Sequence, residues 1–249
     1  MKNLFLVSII LAGGLFGCQK SEMTLSGIGT GNSTNTNTLS KKILVDASKD
    51  GGAWWFPQYG SYSANIDHQG KALADYLRGL GYQVDELPRG ATITTAVLNN
   101  YSNVIRAVGF FDYAPAELDA YKSFLSRQTS LLLVNDHMTN TQNDALSAYL
   151  GLNFEGAHWG PVTSFQSHAI TAGVTSIPYI AGSVVRNWDP SKITVLGSLP
   201  LTGGLPGSTV AAMGIVNQPS SRIFFIGDIG GIEQVHQPFV SNLTKWLFR

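Results

Sequence analysis

Apolar and polar residues follow two alternating patterns from residue 42 onward. Short continuous apolar runs, such as 43–45 and 131–134, are typical of strands that are covered on both faces of a parallel sheet. Between them lie segments such as 71–80, whose apolar residues recur three and four positions apart and predict amphipathic helices. Because strands and helices alternate, we expect an α/β domain with a doubly wound, mostly parallel sheet.

The later part of the chain is richer in strand-forming residues. β-branched and small apolar residues dominate 176–188, 192–199 and 209–216, and 222–228 has the pattern of a further buried strand. A closing helix is predicted over 235–248. We therefore expect a single domain with extra C-terminal strands. Ligands of such sheets bind beyond the carboxyl ends of the strands, so residues that follow strands are the first site candidates.

The N-terminal residues predict an exported lipoprotein. Lys2 precedes an apolar run that is too short to span a bilayer, and residues 1–17 have the pattern of a signal peptide. Residues 15–18, Leu-Phe-Gly-Cys, resemble the lipobox of bacterial lipoproteins, although Phe16 is less usual there. We expect Cys18 to be acylated, which anchors the chain at the outer membrane or the periplasmic face rather than releasing it. The alternative is ordinary secretion with an unmodified cysteine.

Composition sets the domain boundary and excludes two kinds of function. Residues 18–40 are rich in Ser, Thr, Asn and Gly without apolar periodicity, which predicts a flexible tether before a domain at 41–249. Cys18 is the only cysteine, so that domain has neither a disulfide nor a thiol nucleophile. The formal net charge is zero and no Lys/Arg cluster recurs, so nucleic acid is not an expected partner.

Three aspartates follow predicted strands. Asp46, Asp136 and Asp228 end the runs Ile-Leu-Val-Asp, Val-Asn-Asp and Ile-Gly-Asp. Carboxylates that meet at one sheet edge can hold a divalent cation, or can raise the pKa of one member so that it acts as a general acid. Asp also commonly caps helices and turns, and both interpretations stay open. No zinc-type histidine spacing occurs, so no metal or cofactor is expected, with a divalent cation left open.

Histidine, lysine and tryptophan residues lie next to these aspartates. His137 follows Asp136 and is a candidate base, although adjacent strand residues point to opposite faces. Lys49, Trp54 and Trp55 belong to the segment after the first strand, where glycines 51 and 52 turn the chain. Tryptophans in loops suit stacking on sugars or aromatic ligands, and they equally suit covering the sheet edge.

Further candidates lie elsewhere in the domain. Trp159 and Trp188 are predicted in loops, and they and Phe110 have the same two interpretations as the other loop aromatics. His168, in the stretch Ser-His-Ala-Ile-Thr, either faces the site or orders its loop. Arg106 lies in an apolar strand and needs a carboxylate partner there, for which the three aspartates are candidates.

Several of these segments together resemble a known superfamily. They are residues 43–58, 68–90, 103–111, 124–137, 167–182 and 222–228. They are similar to the class I glutamine amidotransferase-like superfamily, near trehalose-utilisation-type proteins and the N-terminal domain of an intraflagellar transport protein. The resemblance implies a flavodoxin-like fold.

The resemblance also limits the chemistry. Catalytic amidotransferases of this superfamily place a cysteine after a central strand, where this chain has Asn135, Asp136 and His137. Cysteine-dependent glutamine amidotransferase activity is therefore excluded. Trehalose-utilisation-type relatives similarly carry histidine near this point, so the resemblance implies the location of a site and not its reaction.

The predicted export and lipid anchor, together with the candidate residues, favour a membrane-anchored binding protein. Its expected ligand is a small polar molecule, a carbohydrate or an envelope-derived fragment. The residues expected to contact it are Asp46, Lys49, Trp54, Trp55, Phe110, His168 and Asp228. Two alternatives stay open. One is a hydrolase or isomerase that uses Asp136 or His137 as acid or base, assisted by Asp46 or Asp228. The other is a protein-interaction scaffold of an envelope complex, with an envelope protein as partner.

Overall fold

A computed structural model describes residues 41–50, 70–136, 143–200 and 208–248. The strands in these ranges are β1 (Lys42–Asp46), β2 (Gln83–Leu87), β3 (Asn103–Arg106), β4 (Ser130–Val134), β5 (Phe154–Trp159), β6 (Ser164–Phe165), β7 (Ile180–Val185), β8 (Ile193–Pro200), β9 (Thr209–Asn217) and β10 (Arg222–Ile226). The helices are α1 (Lys71–Gly79), α2 (Thr95–Leu98), α3 (Pro115–Leu125), α4 (Ala145–Tyr149), α5 (Gly230–Glu233) and α6 (Pro238–Leu247). All ten strands belong to one sheet, which confirms the predicted α/β class.

One half of the sheet is parallel and positions the candidate site. Strands β2, β1, β3, β4 and β10 lie side by side in that order, and each neighbouring pair is parallel. This is the 2-1-3-4-5 order of flavodoxin-like sheets, with β10 in the fifth place. The carboxyl ends of these five strands therefore meet at one edge.

The other half of the sheet is antiparallel, so the prediction of a mostly parallel sheet is wrong. β9 is antiparallel to β10, β7 and β8, and the outer pairs β5–β7 and β6–β8 are antiparallel as well. A parallel neighbour requires a crossover of about a dozen residues or more, usually through a helix. The described chain has no helix between β5 and β8, and only residues 218–221 separate β9 from β10, too few for a parallel crossover.

Side-chain alternation places a separate core on each face of the sheet. Val45, Val134 and Ile226 pack with α1, α5 and α6 on what we term the α1/α6 face. Leu44 and Leu133 pack with α2, α3 and α4 on the α3/α4 face. Successive residues of one strand thus enter different cores, as the period of two requires. Helices on both faces make the sheet doubly wound, as predicted.

In the described ranges, no helix has both the length and the apolar character that crossing a membrane requires.

Candidate functional site

Asp136 and Asp228 lie next to each other at the carboxyl edge of the sheet. Val134 and Ile226 form the last register pair of β4 and β10, and the Asn135 N–H donates to the Ile226 carbonyl at 2.8 Å. Each aspartate stands two residues beyond that pair, on the α1/α6 face that Val134 and Ile226 also occupy. Both are buried, with 8 % and 1 % of their surface exposed.

The Asp228 carboxylate is held by backbone N–H groups. Ile180 N–H donates to Oδ2 and Gly230 N–H to Oδ1, each at 2.5 Å, and the Gly182 N–H contributes a third bond. Burial, together with the negative charge of Asp136, raises the pKa of Asp228 to about 6, although these N–H bonds lower it in part. The group therefore changes its charge under mildly acidic conditions.

The segment that binds Asp228 has an unusual backbone. Ala181 has a φ of 60°, a left-handed conformation that costs a residue with a side chain free energy. A β-carbon at Gly182 would lie 2.6 Å from the Asp228 β-carbon and 2.5 Å from a Tyr179 ring carbon. The buried Tyr179 hydroxyl donates to the Ser183 carbonyl, and burial raises the Tyr179 pKa well above its usual value. Close packing thus holds this segment in a strained conformation.

Asp46 belongs to the opposite face. Its Oδ2 accepts hydrogen bonds from the hydroxyls of Tyr113 at 2.8 Å and Tyr121 at 2.6 Å, and its Oδ1 accepts one from Ser48 N–H. Burial, and then the Asp46 charge, raises the pKa of both tyrosines well above the usual value. The structure therefore does not bring the three aspartates together. Within the described ranges, no group of three acidic, histidine or cysteine side chains is placed to hold a metal ion.

Arg106 is fully buried beside Asp46 on the α3/α4 face. Its guanidinium lies 3.0 Å from Asp144 Oδ2 and donates to Ser147 Oγ at 2.9 Å. Asp144 also caps α4, because its Oδ1 accepts the Ser147 N–H at 2.8 Å. The expectation of a carboxylate partner is confirmed, and the partner is Asp144 rather than one of the three strand-end aspartates.

Lys49 and Phe110 connect the chain after β1 to the chain after β3. Phe110 N–H donates to the Lys49 carbonyl at 2.8 Å, and the Phe110 ring packs half-buried against the α1/α6 core. Lys49 Nζ lies 2.9 Å from Glu117 Oε2 and 5.4 Å from the Tyr113 ring centre. Burial raises the pKa of the Glu117 carboxyl group, but hydrogen bonds from Lys49 and from two backbone N–H groups lower it by more. The pKa of Glu117 therefore lies below its usual value. The Lys49 charge is thus bound to α3.

His168 has the contacts of a residue that orders its loop. Its Nδ1 accepts the Ile170 N–H at 3.2 Å, and its ring centre lies 5.7 Å from that of Trp246 on α6. Burial lowers its pKa. A ligand role for His168 stays a prediction. The remaining sequence candidates, Cys18, Trp54, Trp55 and His137, lie outside the described residues.

The sequence pattern connected neither Ile180 with Asp228 nor Trp159 with Ile180. Trp159 ends strand β5, where a loop was predicted, and it pairs directly with Ile180 of β7. The two side chains are 70 % and 64 % exposed. Trp159 has a recognisable signal, a large aromatic residue before Gly160 and Pro161. Ile180 has none, because only the fold brings its N–H to Asp228.

No family model matches the chain. A search of curated proteins also gave no match. Among solved structures, an IFT52 N-terminal domain is similar at 15 % identity and a TM-score of 0.59, over 82 % of this chain and 94 % of that one. A putative ThuA-like protein from Bacteroides uniformis ATCC 8492 is similar at 15 % identity and a TM-score of 0.54, over 86 % of this chain and 94 % of that one. A β-galactosidase from Rahnella sp. R3 is similar at 14 % identity and a TM-score of 0.52, over 83 % of this chain and 31 % of the enzyme.

These similarities define the class of fold. At such low identities they show a shared α/β architecture, and they include both kinds of neighbour that the sequence resemblance names. The function of this chain has to be inferred from its own residues.

Proposed function

We propose that this protein binds a small polar ligand, a carbohydrate or an envelope-derived fragment, where Asp136 and Asp228 meet. The observation that carries the proposal is the in-register pair of buried carboxyl groups at the carboxyl edge of a doubly wound sheet, where ligands of such folds bind. Carboxylate oxygens accept hydrogen bonds from sugar hydroxyls. The strained backbone at Ala181, held against Asp228, supports a functional role for the same place.

A carbohydrate ligand agrees with two further observations. The exposed Trp159 is the register partner of Ile180, whose N–H donates to Asp228. One structural neighbour is a segment of a β-galactosidase, whose name refers to a sugar substrate. Asp46 and Lys49 are left out of the proposed site, because Asp46 lies on the α3/α4 face and the Lys49 ammonium pairs with Glu117 of α3. His168 is left out because its Nδ1 accepts the Ile170 N–H of its own loop.

We also propose that the domain acts at a membrane surface, through an acyl group on Cys18. The support is the signal-like sequence of residues 1–17 and the tether that follows it. Mass spectrometry of the mature N-terminus should show diacylglyceryl-modified Cys18 as the first residue. Cys18→Ala should remove the modification and release the chain from membranes, and a membrane-bound Cys18→Ala chain would contradict the proposal.

Isothermal titration of the full-length chain tests the binding function. The probes are methyl pyranosides, soluble glycan fragments of the cell envelope, and Mg²⁺ or Ca²⁺ alone, in a sugar-free detergent. We expect a sugar probe to bind, and Asp136→Asn and Asp228→Asn each to weaken that binding at least tenfold. Asp119→Asn, on the exposed surface of α3, is the matched control and should bind as the unmodified chain does. Equal binding by all variants would contradict the proposal.

A second candidate function is catalysis at the same site. The observation that favours it is the position of Asp228, whose pKa burial raises to about 6, beside a second carboxyl group, Asp136, since a carboxyl group with a raised pKa can act as a general acid. The reaction would be hydrolysis or isomerisation of the bound ligand, with His137 as a further candidate base. Prolonged incubation of each binding probe, followed by mass spectrometry and NMR, should then show a product that Asp228→Asn does not form.

A further inference from the structure

Trp159 and Ile180 form an exposed apolar pair, and the Ile180 backbone N–H binds Asp228. They are register partners on β5 and β7, so their backbones are one strand spacing apart, about 4.8 Å. The pair is connected to the proposed site through the Ile180 N–H, which donates to Asp228 Oδ2.

Backbone hydrogen bonds fix the pair relative to Asp228. Gly160 N–H donates to the Tyr179 carbonyl at 3.0 Å, and the Ile180 N–H donates to Asp228 Oδ2 at 2.5 Å. The tryptophan, the isoleucine and the carboxylate therefore belong to one connected unit. A surface held rigidly beside a polar group loses little entropy when a ligand binds.

An irregularity of β5 accompanies the exposed ring. The β5–β7 register shifts between Glu155 and His158 and again between His158 and Trp159. Gly156 and Gly160, with φ values of 71° and 109°, allow the strand to bend on either side. Bulges of this kind redirect side chains and are frequent next to functional sites.

We propose that Trp159, extended by Ile180, is the stacking platform for the apolar face of a pyranose ring whose hydroxyls reach Asp136 and Asp228. This inference rests on the proposed function and names its ligand class. A pyranose has a C–H face and a rim of hydroxyls, and it matches an aromatic surface next to carboxylates. A stable protein interface buries about 800 Å² and 20 to 30 residues per partner, far more than two side chains, so a sugar ring fits the patch better.

Paired ring and open-chain probes separate stacking from hydroxyl recognition. The probes are the methyl pyranosides of glucose, galactose, mannose and N-acetylglucosamine, each compared with its alditol, which has hydroxyls but no ring face. The proteins are the full-length chain, Trp159→Ala, Trp159→Phe and Tyr149→Ala, the last an exposed aromatic residue of α4 as control. Dissociation constants come from isothermal titration in a sugar-free detergent.

We expect at least one pyranoside to bind the unmodified chain about tenfold more tightly than its alditol. Trp159→Ala should remove that difference, Trp159→Phe should keep part of it, and Tyr149→Ala should keep all of it. If the pyranoside depends on Asp228 but binds Trp159→Ala normally, the platform is refuted and the proposed function stands. Equal loss of ring and alditol binding in Trp159→Ala refutes stacking. Absence of sugar binding by the unmodified chain overturns both proposals.

Discussion

Asp136 and Asp228 project onto one face of the sheet from the ends of neighbouring parallel strands, each two residues beyond the Val134–Ile226 pair. Asp46, at the end of β1, projects onto the other face and is hydrogen-bonded by two tyrosines. The sheet therefore separates three similar sequence positions into one aspartate on the α3/α4 face and a pair of aspartates on the α1/α6 face.

The shared location of the pair has a titration signature. ¹³C NMR of the aspartate carboxyl groups should show Asp228 titrating near pH 6. In Asp136→Asn the Asp228 pKa should fall, because a neighbouring negative charge is gone, yet stay above 3.8, because burial is the larger cause. A normal pKa for Asp228 in the unmodified chain would show that its carboxyl group is not buried as described.

The same group makes stability depend on pH. The folded pKa of about 6 exceeds the ordinary value of 3.8, so between these values the folded state holds more protons than the unfolded state. The contribution of Asp228 to the free energy of unfolding must then fall as pH rises from about 4 to about 6. Urea unfolding at pH 4.5 and 7.5 measures it. The advantage of the unmodified chain over Asp228→Asn should be smaller at pH 7.5, and an increase would contradict the assignment.

The backbone next to Asp228 predicts opposite effects of two neighbouring substitutions. Ala181→Gly should raise the free energy of unfolding by about 0.5–1 kcal/mol, since glycine accepts a positive φ without strain. Gly182→Ala should lower it by about 2 kcal/mol or more, because the new β-carbon meets Tyr179 and Asp228. Gly79→Ala, with open space around it at the end of α1, is the control and should not destabilise. Thermal unfolding would contradict this account if both site variants shifted in the same direction.

The buried ion pair on the α3/α4 face predicts a coupled loss of stability. Arg106→Met should cost about 3–5 kcal/mol, since it leaves the Asp144 charge buried without its partner. Adding Asp144→Asn removes that charge and keeps an oxygen for the α4 cap, so the double variant should be more stable than Arg106→Met alone. Urea unfolding of four proteins, the unmodified chain, Arg106→Met, Asp144→Asn and the double variant, measures the coupling. A cost below about 1 kcal/mol for Arg106→Met would mean that the pair contributes little.

Local pattern was sufficient for the parallel half of the sheet. The runs that became β1, β4 and β10 are continuous in apolar residues because both faces are covered, and such runs were recognised as buried strands. The antiparallel half was not recognised as such. Strand direction depends on the connections, and β-branched residues at 192–199 and 209–216 favour a strand of either direction.

Part of the candidate site was predictable, because its aspartates directly follow strands that the apolar runs identify. Sequence placed Asp46, Asp136 and Asp228 at strand ends, but it did not assign each to a face, which depends on register and on partners far along the chain. Tyr113 and Tyr121, which hold Asp46, lie 67 and 75 residues away from it. Arg106 finds its carboxylate on α4 rather than at the sheet edge, which only the packed structure determines.

The most direct test of the central claim is the ¹³C carboxyl spectrum of the full-length chain with and without a saturating methyl pyranoside. If Asp136 and Asp228 contact the ligand, their carboxyl signals should move and the pKa of Asp228 should change, while the carboxyl signals of Asp46 and Asp144 on the opposite face should stay in place. Movement of Asp46 or Asp144 alone, with Asp136 and Asp228 unchanged, would place the ligand elsewhere and contradict the claim.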